Sequence, residues 1–294
     1  MYRLMALLLF LLMLAANAFA DIKSGITGTV EWDTLQITAD VSLDLASAGI
    51  RLPAGRTQGE SLLGQEYLRL IQSGILELQV DSSSTIGDLV QRREFSLPEA
   101  EALAMMARSL PPSLSPDLKS ILSSYNIPLS GISAALLRHN NPSPITRTLS
   151  PVSTAQYTGI IIIASENLPV HGRRSSALPV PCLFPKIWDS NMNLVYERNM
   201  IVSRNTAMAH YAPLESIFQK NPSGLTPELT AVVGERPLRI FARGVFGIKP
   251  TDLIIDRSDS LLIISSEENR RLLSEGKVAI ILDNSVLRQK FTRE

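Results

Sequence analysis

Apolar and polar positions follow two different periods along this chain, and the changes of period divide it into elements. Leu35, Ile37, Ala39, Val41 and Leu43 alternate with Gln36, Thr38, Asp40 and Ser42. A repeat of two sends the two sets to opposite faces, so this run predicts a strand with one face buried. The segment Gly25–Asp33 leads into it, and Pro53-Ala54-Gly55 ends the strand region. Thr57 and Glu60 then have the spacing of a capping box. Leu63, Tyr67, Leu70 and Ile71, with Leu78 beyond them, fall on one face of the helix that follows. Ser96 and Glu99 repeat the box ahead of a short helix through Ala107, closed by Pro111-Pro112. Residues 118–129 fit either a short helix over 117–125 or a strand. The strand is preferred, because a lone strand over 35–43 makes no sheet. A short helix over 131–138 completes this half.

Between 139 and 156 neither period survives, and proline, serine and asparagine dominate, which predicts a linker. The second half reads mostly as strands. Tyr157 to Ala164 holds four consecutive isoleucines, the composition of a strand covered on both faces. Residues 184–188 and 194–196 flank Asp189-Ser190-Asn191-Met192-Asn193, a hairpin turn. Leu238, Ile240 and Ala242 alternate with Arg239, Phe241 and Arg243, and strands are expected over 253–255 and 261–264. Ser265 and Glu268 again match a capping box, for a helix ending at Gly276, and residues 277–282 read as the last strand. The expected class is α+β in two small domains. The first, 21–138, is a strand-helix-helix-strand unit; the second, 157–285, is mostly antiparallel β with short helices. Residues 286–294 are expected to be a charged, frayed tail.

Ahead of both lies an export signal over 1–20. Arg3 precedes an unbroken apolar run from Leu4 to Ala16, and Ala18-Phe19-Ala20 gives the small-x-small pattern for cleavage before Asp21. The run is shorter than the roughly 18–20 residues of a spanning helix. A mature chain outside the cytoplasm, periplasmic or otherwise exported, is therefore expected. The full chain carries 28 basic and 28 acidic residues. Such a balance gives no electrostatic drive toward nucleic acid or an anionic surface. With one cysteine, Cys182, there is no internal disulfide, and its apolar, proline-broken surroundings suit a buried, inert thiol.

Few residues invite chemistry. His139, His171 and His210 lack neighbours at metal-ligand spacing. Ser274 and Lys277 match the SxxK string, but Gly276 between them ends the helical turn that the mechanism needs. Asp252, Asp256 and Asp259 form the one local acidic cluster, in a turn where aspartate bonds its own backbone. Gly244-Val245-Phe246-Gly247 and Arg173-Arg174 read as a turn and a solvated surface, and Trp32 and Trp188 as anchors within strands. No residue is assigned a catalytic, cofactor-binding or metal role, and no cofactor is expected.

Short signatures carry a family resemblance. Tyr157-Thr158-Gly159 with its isoleucine strand, Phe184-Pro185-Lys186-Ile187-Trp188-Asp189, Leu194-Val195-Tyr196 and Arg236-Pro237-Leu238-Arg239-Ile240 are among them. Ile263 to Glu267 and Gly276 to Asp283 follow, with Trp32–Leu43, Leu52–Thr57 and Val80–Leu89 in the first half. In this order they resemble exported bacterial envelope proteins related to LPP-type membrane-associated lipoproteins and to the N-terminal part of flagellar assembly protein T. The lipoproteins' acylated cysteine is Asp21 here, so no lipid anchor is expected, and Ala164-Ser165-Glu166 departs from the family's corresponding run. The resemblance implies an α+β fold, a non-enzymatic envelope role and envelope or flagellar-motor proteins as partners; it transfers no site residues.

The expected function is a structural or assembly factor working through protein contacts, its exposed sheet edges accepting a partner strand. The alternatives are a periplasmic glycan- or solute-binding module and a hydrolase using the carboxylates of Asp252, Asp256 and Asp259.

Overall fold

The computed structural model describes residues 22–203 and 207–293. The expected leader, residues 1–20, lies outside the described residues. Two strands open the fold, β1 (Ser24–Glu31) and β2 (Gln36–Asp44), joined as a hairpin. Helix α1 (Arg56–Leu76) buries Leu63, Tyr67, Leu70, Ile71 and Ile75 against that hairpin. A small excursion follows: β3 (Gln79–Asp81), β4 (Ser84–Thr85), α2 (Ile86–Gln91) and α3 (Leu97–Met105). Then come β5 (Arg108–Ser109), β6 (Ser113–Leu114), β7 (Ser120–Pro128) and α4 (Leu129–Leu136). The preferred reading of 118–129 as a strand agrees with β7, which pairs antiparallel with the whole of β2.

Capping chemistry explains which helices start where the sequence suggests. Ser96 caps α3 with both halves of its box formed, the Glu99 carboxylate accepting from the Ser96 amide at 2.7 Å. The box expected at Thr57 does not form. The chain already turns ahead of it, with Gly55 N–H donating to Arg51 O at 2.9 Å, so the helix begins two residues earlier and Gly55 rather than Thr57 is its N-cap.

The second half runs through β8 (Ile160–Ile163), β9 (Leu168–Pro169), β10 (Ser176–Ala177), β11 (Ile187–Asp189), β12 (Leu194–Tyr196) and β13 (His210–Pro213). Helix α5 (Pro227–Val233), β14 (Leu238–Phe246), β15 (Asp252–Ile255), α6 (Arg257–Ile264), α7 (Glu267–Ser274), β16 (Val278–Leu282) and β17 (Arg288–Arg293) complete it. Its sheet has the order β12-β11-β15-β14-β8-β16-β13. The isoleucine strand β8 lies inside this sheet, parallel to both neighbours, with Ile160 to Ile162 buried. Helix α5 covers one face through Leu229 and Val233. The fold is thus α+β, as expected, with a strand-rich second unit.

Three expectations are corrected. The second sheet is not mostly antiparallel: β11–β15, β13–β16, β14–β8 and β16–β8 are parallel pairs, against two antiparallel ones. Helices and long loops link these strands and carry the chain back to the same end, as parallel pairing requires. Residues 261–264 are helical, within α6; an apolar run of four has no period of its own, and the preceding Asp256 sits at the N-cap. In consequence Ser265 ends α6, and Ser266 rather than Ser265 caps α7 by accepting from Asn269 N–H. Finally, residues 288–293 are no frayed tail. They form β17, antiparallel to β1 over six residues, and complete the first sheet, β17-β1-β2-β7-β5, with β6 also on β7.

That return ties the halves together, and a seam of backbone bonds does the same. Leu183 and Phe184 donate to Gln79 O and Val80 O at 3.1 and 2.8 Å, and Lys249 donates to Ser82 O at 2.9 Å. Gly247 is required there: its φ is +109°, and a Cβ would lie 2.3 Å from that of Ser82. Trp32, fully buried, meets Tyr211 edge-on at 5.7 Å across the same seam. Residues 139–156 carry no regular element and pack on the second unit, where Thr154 Oγ1 donates to Leu262 O at 3.1 Å.

Candidate functional site

The acidic trio does not converge. Asp252 opens β15 and is buried in the seam. Its carboxylate accepts from Ser82 Oγ at 3.0 Å, Lys186 N at 3.3 Å, Thr251 Oγ1 at 3.3 Å and Trp188 Nε1 at 3.4 Å. Burial raises its pKa, against the pull of these donors. Asp256 lies past the other end of the strand, ion-paired to Arg243 at 2.7 Å. Asp259, in the first turn of α6, is raised by burial and by the Asp256 charge. Asp252 is therefore a staple between the units rather than half of a carboxylate pair.

The other candidates resolve similarly. Cys182 is buried with its thiol pushed up by that burial, and its peptide is held by the Tyr211 hydroxyl, which donates to Cys182 O at 2.8 Å. His139 Nε2 meets Ile201 O at 2.9 Å, His171 sits on an exposed loop edge-on to Phe246, and burial lowers the pKa of His210. Ser274 Oγ donates to Arg271 O, and Lys277 Nζ pairs with Glu275; Gly276 between them has φ +68°. Gly244 to Phe246 belong to β14, and Arg173 and Arg174 lie on the exposed β9–β10 loop. Among the described residues no group of three or more His, Cys, Asp or Glu side chains is placed to hold a metal ion.

Two concavities have built walls. The larger, about 700 Å³, opens between residues 146–150, the β11–β12 turn with the start of β12, and α6. Leu194 and Leu261 line it half-buried, with buried Val195 and Ile264 behind them. At one end Asp189, fully buried, accepts from Asn191 N and Asn193 N at 2.9 Å, from Asn193 Nδ2 and from Arg257. Burial alone would raise this carboxyl; the bonds from Asn193, Arg257 and Asn191 outweigh it and hold the pKa below the usual range. Arg147 lines the same groove from the linker. β12 is an outer strand, with β11 as its one neighbour in the sheet.

The second concavity, about 450 Å³, lies on the outer face of the first sheet, where the Leu110-Pro111 segment leans over β2 and β7. Thr27, Ser42, Ser124 and Asp40 supply its polar lining, Leu110 and Leu122 its apolar lip. Sequence reasoning missed both. The larger depends on Leu261 and Ile264 facing it from a helix where a strand was expected.

A two-unit α+β chain, its first sheet closed by the last strand, is the class that these observations define. Residues 23–135 match the family model described as Treponema pallidum Tp0624, N-terminal domain, and residues 159–284 the one described as Treponema pallidum Tp0624, second domain. Together the two matched regions cover most of the chain, and β17 lies beyond both. A search of curated proteins gives no match.

Proposed function

We propose that this chain is a non-enzymatic envelope protein, exported by its leader and working through protein contacts as a structural or assembly factor. The observation that carries this reading is a groove of about 700 Å³, floored by half-buried Leu194 and Leu261 with the fully exposed Leu149 at its rim. Apolar surface gathered in a concavity gives another chain's side chains somewhere to be buried; the backbone of β12 is not itself on offer, since Val195 and Tyr196 are buried. The export signal and the resemblance to envelope and flagellar-assembly proteins supply the compartment and the kind of partner. In-cell crosslinking followed by purification is expected to recover one defined envelope protein reproducibly. Repeated recovery of none, or fractionation of the chain to the cytosol, overturns the proposal. The flagellar association rests on the resemblance alone, and a deletion strain with normal motility removes it.

A second reading, a glycan- or solute-binding module, is favoured by the hydroxyl-lined concavity over Thr27, Asp40 and Ser42. Thermal shift against soluble glycans separates the two: a rise in Tm that Asp40→Ala abolishes supports the second reading.

A further inference from the structure

Resting on that contact reading but on a surface apart from the groove, we infer that the open edge of β17 takes an extended partner segment with acidic side chains at alternate positions. Antiparallel neighbours exchange backbone bonds at every second residue pair. Trp32 N–H donates to Leu287 O at 3.0 Å, and the register from there makes Val30–Gln289, Gly28–Phe291 and Ile26–Arg293 the bonded pairs. Arg288, Lys290 and Thr292 fall between them and turn their amides and carbonyls away from β1. All three are exposed, and among the described residues no strand lies on that side. Phe291, seated against Gly28 and Gly74, pins the strand, so this row of donors and acceptors is laid out before a partner arrives.

The other edges of the two large sheets lack such a row. In the second sheet the outer strands β12 and β13 bury Val195, Tyr196, Tyr211 and Ala212. At the far side of the first, β5 and β6 are two residues each. Charge names the occupant. β17 holds three cations, Arg288, Lys290 and Arg293, and no anion. Asp33 meets Arg288 at 3.7 Å and Glu77 pairs with Arg293, both from outside the strand; none of the ion pairs among the described residues includes Lys290. Side chains alternate along a strand, so Arg288 and Lys290 share one face. Carboxylates at every second position of a partner strand come to stand beside both. On the other face half-buried Phe291 gives the residue between two carboxylates an apolar neighbour. A second copy of β17 would bring three more cations to the same edge, which disfavours self-pairing.

Two end-blocked seven-residue peptides test this, one alternating glutamate with valine, the other lysine with valine. Each is titrated into the ¹⁵N-labelled chain from Asp21 onward, which holds every residue named here. The acidic peptide is expected to bind about tenfold or more tightly than the basic one. Its binding should slow hydrogen exchange at the amides of Arg288, Lys290 and Thr292. Those of Gln289, Phe291 and Arg293, already bonded to β1, should change little. Lys290→Glu, on an exposed position, should erase the preference at an unchanged melting temperature, and Arg173→Glu, in the second unit, should leave it as it was. Equal affinities, a preference that survives Lys290→Glu, or protection that is absent or does not alternate overturns the assignment. So does protection of the same amides that grows with protein concentration when no peptide is present, the mark of pairing between copies. A partner recovered from cells whose capture is indifferent to Lys290→Glu sinks the edge but keeps the contact reading. Peptide binding without any cellular partner does the opposite.

Discussion

At the scale of single residues, two buried carboxylates hold this structure with opposite titration behaviour. Asp189 is fully buried and its pKa is lowered; Asp252 is buried and its pKa is raised. A folded pKa below the unfolded one means that Asp189 brings stability above the ordinary carboxylate range of about 4, lost as pH falls through its depressed folded value. Asp252 runs the other way: its ionised form favours the fold less than its protonated form does, so stability is gained as pH falls from its raised folded value to the ordinary one. The bond from Ser82 belongs to the ionised form. Ser82→Ala should therefore cost about 1.5–3 kcal/mol at neutral pH, the range for a hydrogen bond to a charged group, and less once Asp252 is protonated. Asp189→Asn should cost about 2–3 kcal/mol, below the 3–5 of a fully buried pair because Arg257 is 41% exposed. Urea melts of both variants across the acid range check the signs. The Ser82→Ala deficit should begin to shrink at a higher pH than the Asp189→Asn deficit; the reverse order contradicts the assignment of the two carboxyls.

At the scale of elements, β17 is held by an aromatic in a slot that two glycines leave open. A Cβ on Gly28 would lie 2.0 Å from Phe291 Cζ, and one on Gly74 2.8 Å from Cε2, so the ring occupies the room that both residues vacate. Gly28→Ala should expel the ring and loosen β17, costing about 1–3 kcal/mol by overpacking. Hydrogen exchange at 288–293 should rise. Adding Phe291→Ala should cost less than the sum of the single losses, since the new methyl then fills part of the hole. None of this was legible in the sequence. Strand β1 is rich in glycine and threonine, and β17 shows three cations and a single half-buried apolar residue, so neither has the alternation that β2 and β14 display. The α1 face and the Ser96 box were readable, because the spacing that identifies them is itself the contact. Strand direction was not: a buried isoleucine run reads alike in either sense, and only the connections made β8 parallel. The groove stayed hidden for a related reason, because Leu261 to Ile264 has no period to separate helix from strand.

At the scale of the whole molecule, the question is whether two separately matched regions behave as one folding unit. Apolar burial does not stop at the seam: Trp32, Phe184 and Tyr211 share one continuous core with α1 and the second sheet. The bonds at Gln79, Val80 and Ser82 cross it, and β17 crosses back, pairing six residues with β1. Removing a strand of that length exposes the β1 edge and the slot at Gly28 and Gly74, but takes nothing from the core of the second sheet. The intact chain should therefore unfold in a single calorimetric transition, its enthalpy matching the van't Hoff value. A chain ending at Leu287 should unfold in two, the earlier step reporting the first sheet through Tyr67 and Tyr125, whose rings stack 3.7 Å apart. Leu287 is kept because its carbonyl accepts from the Trp32 amide at 3.0 Å. If the shortened chain still melts once and at the same temperature, the seam alone couples the halves, and β17 serves only to cover the edge of β1.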